Sequence, residues 1–212
     1  MFRPNKEEKF EGRWNISSFE IKYRNQSVFE IKQNIKRDYL YYDFDPTRTE
    51  GAVPLPSNNF YSYTDYEIAF SSPDKNLFKF ATGIQYGDFF NGTKFSFKTG
   101  FKYRIQPYFN MSLRFDYDSI KLPEPYTSRN IWLINPKFQY TFNKKTSWST
   151  YIQYTNQSEN LGINSRFKWR FAPLSDLYIV YNDNYIKVPT ESLAAGFYII
   201  NIGNRFGRFI HK

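Results

Sequence analysis

The sequence predicts an all-β protein, an antiparallel up-and-down meander of about ten to eleven strands. Three observations carry that prediction. Apolar and polar residues alternate with a period of two over most of the chain, which places them on opposite faces of extended segments. No segment repeats apolar residues at helical spacing. Short polar or Gly/Pro-bearing clusters punctuate the alternation at regular intervals.

The clearest stretch is Leu161–Asn184, LGINSRFKWRFAPLSDLYIVYNDN. Leu161, Ile163, Phe167, Trp169 and Phe171 fall on one face, and Gly162, Asn164, Arg166, Lys168 and Arg170 on the other. Ala172–Asp176 reads as a tight turn, after which Leu177, Ile179 and Tyr181 resume the apolar row. One face is broad and apolar, the other cationic, and no amphipathic helix is available to cover the first.

In chain order, residues 1–12 are charged and aperiodic and are expected as a tail or loop. Residues 13–203 form the β-barrel segment, and 204–212 a basic C-terminal tail. Arg13–Tyr23 is the first strand, with Phe19, Ile21 and Tyr23 on one face. Val28–Tyr39 follows with Phe29, Ile31, Ile35 and Tyr39, then a long connection over Tyr41–Asn59. Phe60–Phe70 and the strand around Phe78–Tyr86 flank the turn Ser71–Asn76.

Gly87–Gly92 turns the chain with Asn-Gly chemistry into the cleanest strand. There Phe95, Phe97, Phe101 and Tyr103 alternate with Lys94, Lys98, Lys102 and Arg104. Past Gln106-Pro107, Met111, Leu113 and Phe115 alternate with Arg114, Asp116 and Asp118. Arg129–Phe142 carries Trp132, Ile134 and Phe138, with Pro136 weakening its middle, and Ser147–Thr155 carries Trp148, Ile152 and Tyr154. Beyond Tyr185 the alternation fades, and Leu193–Ile202 is apolar on both faces.

Composition narrows the class. With 212 residues, the chain is long enough for one large all-β domain. Mean hydropathy is low, and no run approaches the roughly 20 apolar residues of a helical span. A membrane barrel stays open, because its lipid-facing and lumen-facing residues cancel in the average. Net charge is +9, but the cations are dispersed over many strands and no nucleic-acid signature is present, so no nucleic-acid partner is expected. Cys is absent, so there is no disulfide framework.

Connections sort into a short set (24–27, 71–76, 106–107, 143–146, 172–176) that alternates with an on-average longer set (41–59, 87–92, 119–128, 156–160, 184–193). Outer-membrane barrels have short periplasmic turns and longer external loops. The chain is therefore expected to form an outer-membrane β-barrel or part of one, located in the outer membrane with membrane lipid as its partner. On that orientation the first strand runs inward. Bacterial barrels have an even strand count, and MFRPNKEEKFEGR lacks the roughly 7–15-residue apolar core of an export signal. The expectation is a truncated or partial product, missing at least one upstream strand.

GDFFNGT (Gly87–Thr93) between amphipathic strands, followed by NSRFKWRFAPLSDLYIVYNDN (Asn164–Asn184), resembles a family of large outer-membrane proteins. That family joins an N-terminal family-9-type carbohydrate-binding-like sandwich to a C-terminal β-barrel of unknown function. Its strand–turn–strand signature is matched by Arg166, Trp169, Pro173, Ser175, Asp176, Leu177, Val180, Tyr181 and Asn182. The resemblance spans about Asn25–Tyr185 as a pattern and implies a barrel, an N-terminal partner domain and no catalytic residues. Two departures stand: the sandwich is absent from this sequence, and GFYIINIGNRFGRFIHK lacks a closing strand that ends in an aromatic.

The candidate lumen-facing charged residues are Lys98, Lys102, Arg104, Arg114, Asp116, Asp118, Arg166, Lys168 and Arg170. The candidate lipid-facing residues are Phe95, Phe97, Phe101, Tyr103, Met111, Leu113, Phe115, Ile163, Phe167, Trp169, Leu177 and Ile179. Asp116 and Asp118 share a face and are expected to form a salt network with Arg114, Lys102 and Arg104 rather than an acid/base pair. Trp14, Trp132, Trp148 and Trp169 are candidates for interfacial girdles. His211 has no Ser or Cys partner with which to build a nucleophilic pair, and Asp43, Asp45 and Asp183 read as solvated loop acids. No catalytic residue, metal or cofactor is expected. The leading expectation is a non-catalytic envelope anchor or pore scaffold. The alternative is a soluble β-sandwich or small barrel that binds a glycan or lipid, and an outer-membrane enzyme comes third.

Overall fold

A computed structural model describes residues 2–4, 10–186, 196–202 and 205–211, with side chains over 12–185. The strands are β1 (Phe2–Pro4), β2 (Phe10–Lys22), β3 (Val28–Leu40), β4 (Asn59–Ser71), β5 (Phe78–Phe89), β6 (Gly92–Ile105) and β7 (Phe109–Lys121). They continue with β8 (Arg129–Asn143), β9 (Thr146–Thr155), β10 (Asn160–Ala172), β11 (Ser175–Ile186), β12 (Gly196–Ile202) and β13 (Arg205–His211). β1–β11 form one antiparallel sheet in chain order, so the fold is an all-β up-and-down meander. The sheet is open: its first and last strands do not pair with each other.

Several expectations are corrected. Residues 2–4 and 10–12, expected in a tail, are strand, with Arg3 opposite Gly12; a short β1 occupies part of the free edge of β2. The main sheet ends at Ile186, not at 203. β12 pairs with β13 in a separate hairpin, so most of the expected basic tail is strand. Two runs rich in Phe and Ile around Gly203-Asn204 have the composition of a hairpin. The side chain of His211 and the connection 187–195 lie outside the described residues. Asp183, expected in a loop, sits within β11 opposite Ile163.

β2–β11 run to ten to fifteen residues, longer than the ~9–11 of a minimal membrane strand. Connections at one end of the sheet are the five-residue 23–27, the six-residue 72–77, and then 106–108, 144–145 and 173–174. Those at the other end are 41–58, 90–91, 122–128 and 156–159. The expected long loop over Gly87–Gly92 is instead a two-residue turn, because Gly87, Asp88 and Phe89 stay in the ladder with β6. The ends are called the turn end and the loop end below.

Pro136 does not break β8. It has no N–H to give the carbonyl of Ile152, and the Asn135 side-chain amide donates to that oxygen instead, at 3.3 Å. The strand continues paired to β7, with Leu113 opposite Pro136.

Register fixes two faces. Ile31, Ile68, Ile84, Phe97 and Tyr117 are successive cross-strand partners, and so are Phe80, Phe101, Leu113 and Pro136. Within the sheet, only Tyr63 and Ile120 are buried hydrophobics among the described residues, joined by Leu55 and Leu122 from the connections. All four belong to the loop end. Phe19, Ile68, Ile84 and Ile179 remain 48–62% exposed. Among the described residues, no second layer covers the apolar face.

Candidate functional site

The apolar face is banded. Along β5, β7 and β8 the sequence on this face runs Tyr86–Ile84–Thr82–Phe80–Phe78, Tyr117–Phe115–Leu113–Met111–Phe109 and Trp132–Ile134–Pro136–Phe138–Tyr140. β6 begins with Phe95 and ends near Tyr103, and β9 holds Tyr154 and Trp148 around Ile152 and Thr150. Aromatic rings therefore mark both borders of an interior dominated by Ile, Leu and Phe. Eight residues separate the borders, about 26 Å along a strand at ~3.3 Å per residue, or about 20 Å of height at a ~40° tilt.

Several polar side chains within the band find partners on neighbouring strands. Trp148 Nε1 donates to the Ser165 hydroxyl at 2.8 Å, and Thr150 lies 2.9 Å from the same oxygen. Gln33 donates to the Tyr66 hydroxyl at 3.2 Å. Such local pairing is what an environment without water demands.

All twelve candidate lipid-facing residues (Phe95, Phe97, Phe101, Tyr103, Met111, Leu113, Phe115, Ile163, Phe167, Trp169, Leu177 and Ile179) fall on this one face in the register. Trp132, Trp148 and Trp169 share it. Trp14 does not: it stands opposite Lys36 on the other face, where the Lys36 ammonium lies 5.4 Å from its ring centroid.

The polar face carries Lys98, Lys102, Arg104, Arg114, Asp116, Asp118, Arg166, Lys168 and Arg170. It is hollowed where Ala69, Ala81, Gly83 and Gly100 provide a floor of small residues. A cavity of about 630 Å³ there is bordered by residues of β3 to β8, among them Glu30, Glu67, Lys98, Arg114 and Asp116. Lys98 stands opposite Asp116, whose carboxylate takes the Arg114 guanidinium at 2.8 Å. Asp118 accepts from the Ser96 hydroxyl. Of the expected salt network, then, Arg114–Asp116 forms; Arg104 instead donates to the Asp74 backbone carbonyl at 2.7 Å. Near the turn 173–174, Asp176 binds Arg170 through two bonds, at 2.8 and 3.2 Å, and Lys168 at 3.1 Å.

The loop end holds what the sequence did not reveal. Connection 41–58 forms a small structure of its own, in which Phe44 and Leu55 exchange backbone hydrogen bonds at 3.0 and 2.8 Å. Asp45 accepts from the N–H groups of Thr47 and Thr49 at 2.8 and 2.7 Å and from the Thr47 hydroxyl. Asp43 accepts from Ser57 N–H at 2.8 Å. Burial raises the Asp45 pKa, but the Thr47 and Thr49 bonds and the charge of Arg129 outweigh it and hold the carboxyl below its ordinary value.

Arg129, at the start of β8, grips this connection from more than eighty residues away in sequence. One guanidinium nitrogen reaches the carbonyls of Thr47 and Arg48 at 3.4 and 3.1 Å. The other reaches those of Asn156 and Gln157 at 3.3 and 3.0 Å. The connection after β3 is thus tied to the starts of β8 and β10, spanning the intervening strands at the loop end.

Phe90 supports it. Its backbone is left-handed (φ 52°), costly for a bulky residue. Its ring lies 5.5 Å from those of Phe44, Tyr61 and Tyr63, and 4.9 Å from that of Phe89. Alternation gives no hint of this assembly, because its partners are backbone carbonyls and rings in a turn.

At the turn end, Asp74 forms an ion pair with Lys79. That contact, joined by the charges of Lys102 and Arg104, holds the Asp74 carboxyl below its ordinary value. Among family models, curated proteins and solved structures, none matches this chain.

Proposed function

We propose that the chain is a non-catalytic segment of an outer-membrane β-barrel, serving as an envelope anchor or as the wall of a pore or transport scaffold. The observation that carries this reading is the uncovered apolar face, continuous from β2 to β11 and bordered by aromatic rings. Lipid is the neighbour that such a band fits. The polar face then lines an aqueous interior, with connection 41–58 held across one mouth. The open edges at β1/β2 and β11 call for further strands, in keeping with an upstream barrel portion and an N-terminal domain. The resemblance carried by Gly87–Thr93 and Asn164–Asn184 points the same way.

Spin labels on Phe97→Cys and Lys98→Cys, read in lipid vesicles by oxygen and by a water-soluble nickel relaxant, test the reading. Oxygen is expected to dominate at 97 and nickel at 98. Equal access of the two relaxants at both sites would refute a lipid-facing side. A chain that stays monomeric in buffer without detergent would instead favour a soluble sandwich.

A further inference from the structure

Sheets avoid placing like charges directly opposite one another, because the pair repels across a single strand spacing. Near the turn end this chain does so. Lys79 on β5 and Lys102 on β6 are direct cross-strand partners on the polar face, and the same row continues through Ser112 to Lys137 on β8. The adjacent row holds Arg104, Asn110 and Gln139. Together these seven side chains border a hollow of about 250 Å³.

Four cations meet there, and one carboxylate stands at the margin. That acid, Asp74, is engaged by Lys79. Among the described residues no carboxylate forms an ion pair with Lys102, Arg104 or Lys137. Elsewhere on the face Lys98 stands opposite Asp116, Lys168 and Arg170 share Asp176, and the opposed acids Glu20 and Glu30 each hold a lysine, Lys22 and Lys32. A row that breaks the pairing rule with one carboxylate to four cations marks a site kept for something other than stability.

We propose that Lys79, Lys102, Arg104 and Lys137 form a binding site for a free phosphoryl anion, of the size of pyrophosphate or the phosphorylated end of a small solute. Neighbouring strands lie ~4.8 Å apart, so the backbones of Lys102 and Lys137 are about 10 Å apart and their flexible stems converge on one ion. The Arg104 fork adds directional donors, while the Ser112 hydroxyl and the Asn110 and Gln139 amides supply neutral ones. The hollow has room for several waters at ~30 Å³ each, enough for two linked phosphoryl groups. The site lies opposite the apolar face, so it stands whatever covers that face, and a solute reaches it more readily than a lipid headgroup does.

The test is calorimetric titration of inorganic pyrophosphate into the full chain folded in maltoside micelles at low ionic strength. Wild type is expected to bind. Lys102→Gln with Lys137→Gln should weaken binding about tenfold or more, as loss of two charge-assisted contacts requires. Lys102→Arg with Lys137→Arg should keep it, and Lys32→Gln, which removes a cation paired with Glu30, should leave it unchanged. Lysine acetylation footprinting of the wild type gives a readout that needs no variant: pyrophosphate should protect Lys79, Lys102 and Lys137 and leave Lys32 reactive. The proposal is overturned by any of four results: no binding by wild type, unchanged binding by the double Gln variant, equal loss in Lys32→Gln, or protection by phosphatidylglycerol micelles with none by pyrophosphate.

Discussion

Leu113→Arg is the perturbation that probes the apolar face most directly. Leu113 lies four residues from Phe109 and four from Tyr117, so each aromatic border is about 13 Å away along the strand at ~3.3 Å per residue. Its cross-strand partners, Phe101 and Pro136, offer an arginine no hydrogen-bond acceptor on that face. An arginine at the bilayer midplane of a barrel costs about 2–4 kcal/mol, falling to about 0–1 kcal/mol near the interface. Leu113→Arg should therefore lose about 2–4 kcal/mol, and Tyr117→Arg no more than about 1 kcal/mol. The assay is equilibrium unfolding in urea from phosphatidylcholine vesicles, followed by tryptophan fluorescence. Leu113→Ala adds a second discriminant. In a packed protein core it would cost about 2–5 kcal/mol because a cavity remains, whereas lipid tails fill the gap and the loss should be smaller. If both arginine variants cost the same, whether nothing or several kcal/mol, depth is not the controlling variable and the lipid argument fails.

Other regions give independent tests. Arg129→Ala should free connection 41–58 from β8 and β10, raising amide exchange at Thr47 and Thr49 tenfold or more, since bonds to a charged donor contribute ~1.5–3 kcal/mol; unchanged exchange would show that the guanidinium bridge does not hold the loop. Asp45 has a lowered folded pKa, so its contribution is complete above the ordinary Asp range near ~3.9 and is lost as pH falls through the lower folded value. Exchange at Thr47 and Thr49 should stay slow down to that range and accelerate below it, whereas Asp45→Asn should accelerate it already at neutral pH. A Cβ at position 92 would lie 2.1 Å from the Lys121 carbonyl oxygen, while one at position 100 meets only the Leu113 carbonyl, at 3.8 Å. Gly92→Ala should cost more than ~2 kcal/mol in the same urea assay and Gly100→Ala almost nothing; equal costs would contradict the register of β6 against β7.

What the sequence made legible is what a period of two encodes. Phe97 and Lys98, or Phe167 and Lys168, must face opposite ways once the strand exists, and two-residue turns such as 173–174 leave adjacent strands little freedom of register. Where both parities are apolar the code is degenerate. In β2, Trp14 and Ile16 compete with Phe19 and Ile21, and only pairing with β3 decides that Trp14 joins the polar face. Strand ends are less legible for a related reason: alternation continues past the aromatic borders of the band, so periodicity does not mark where a strand stops. The loop-end assembly was hidden more deeply. Arg129 binds main-chain carbonyls, which every residue possesses, and Phe90 sits in a turn where the sequence rule favours Gly or Asn.

The two ends of the polar face make opposite demands on the backbone. At the loop end, buried Leu55, Tyr63, Ile120 and Leu122, the Phe90 rings and the Arg129 bridge hold a long connection in one conformation, and buried Asp65 is satisfied by Asn34 at 2.6 Å and Lys36 at 3.0 Å. At the turn end the connections are short, burial is slight, and Lys102 and Lys137 are exposed and form no ion pair among the described residues. A solute moving along this face would pass from a region where Asp38, Asp65 and Asp118 lie among Lys36 and Lys94 to a row of cations. Anions would be held more strongly at the second than at the first, where acids and lysines offset one another. If the interior is a pore, its electrostatics are polarised along the strand axis, so its anion preference should be set at the turn end. Neutralising Lys102 and Lys137 should then lower anion selectivity in planar bilayers more than neutralising Lys36, which already has Asp65 as its partner.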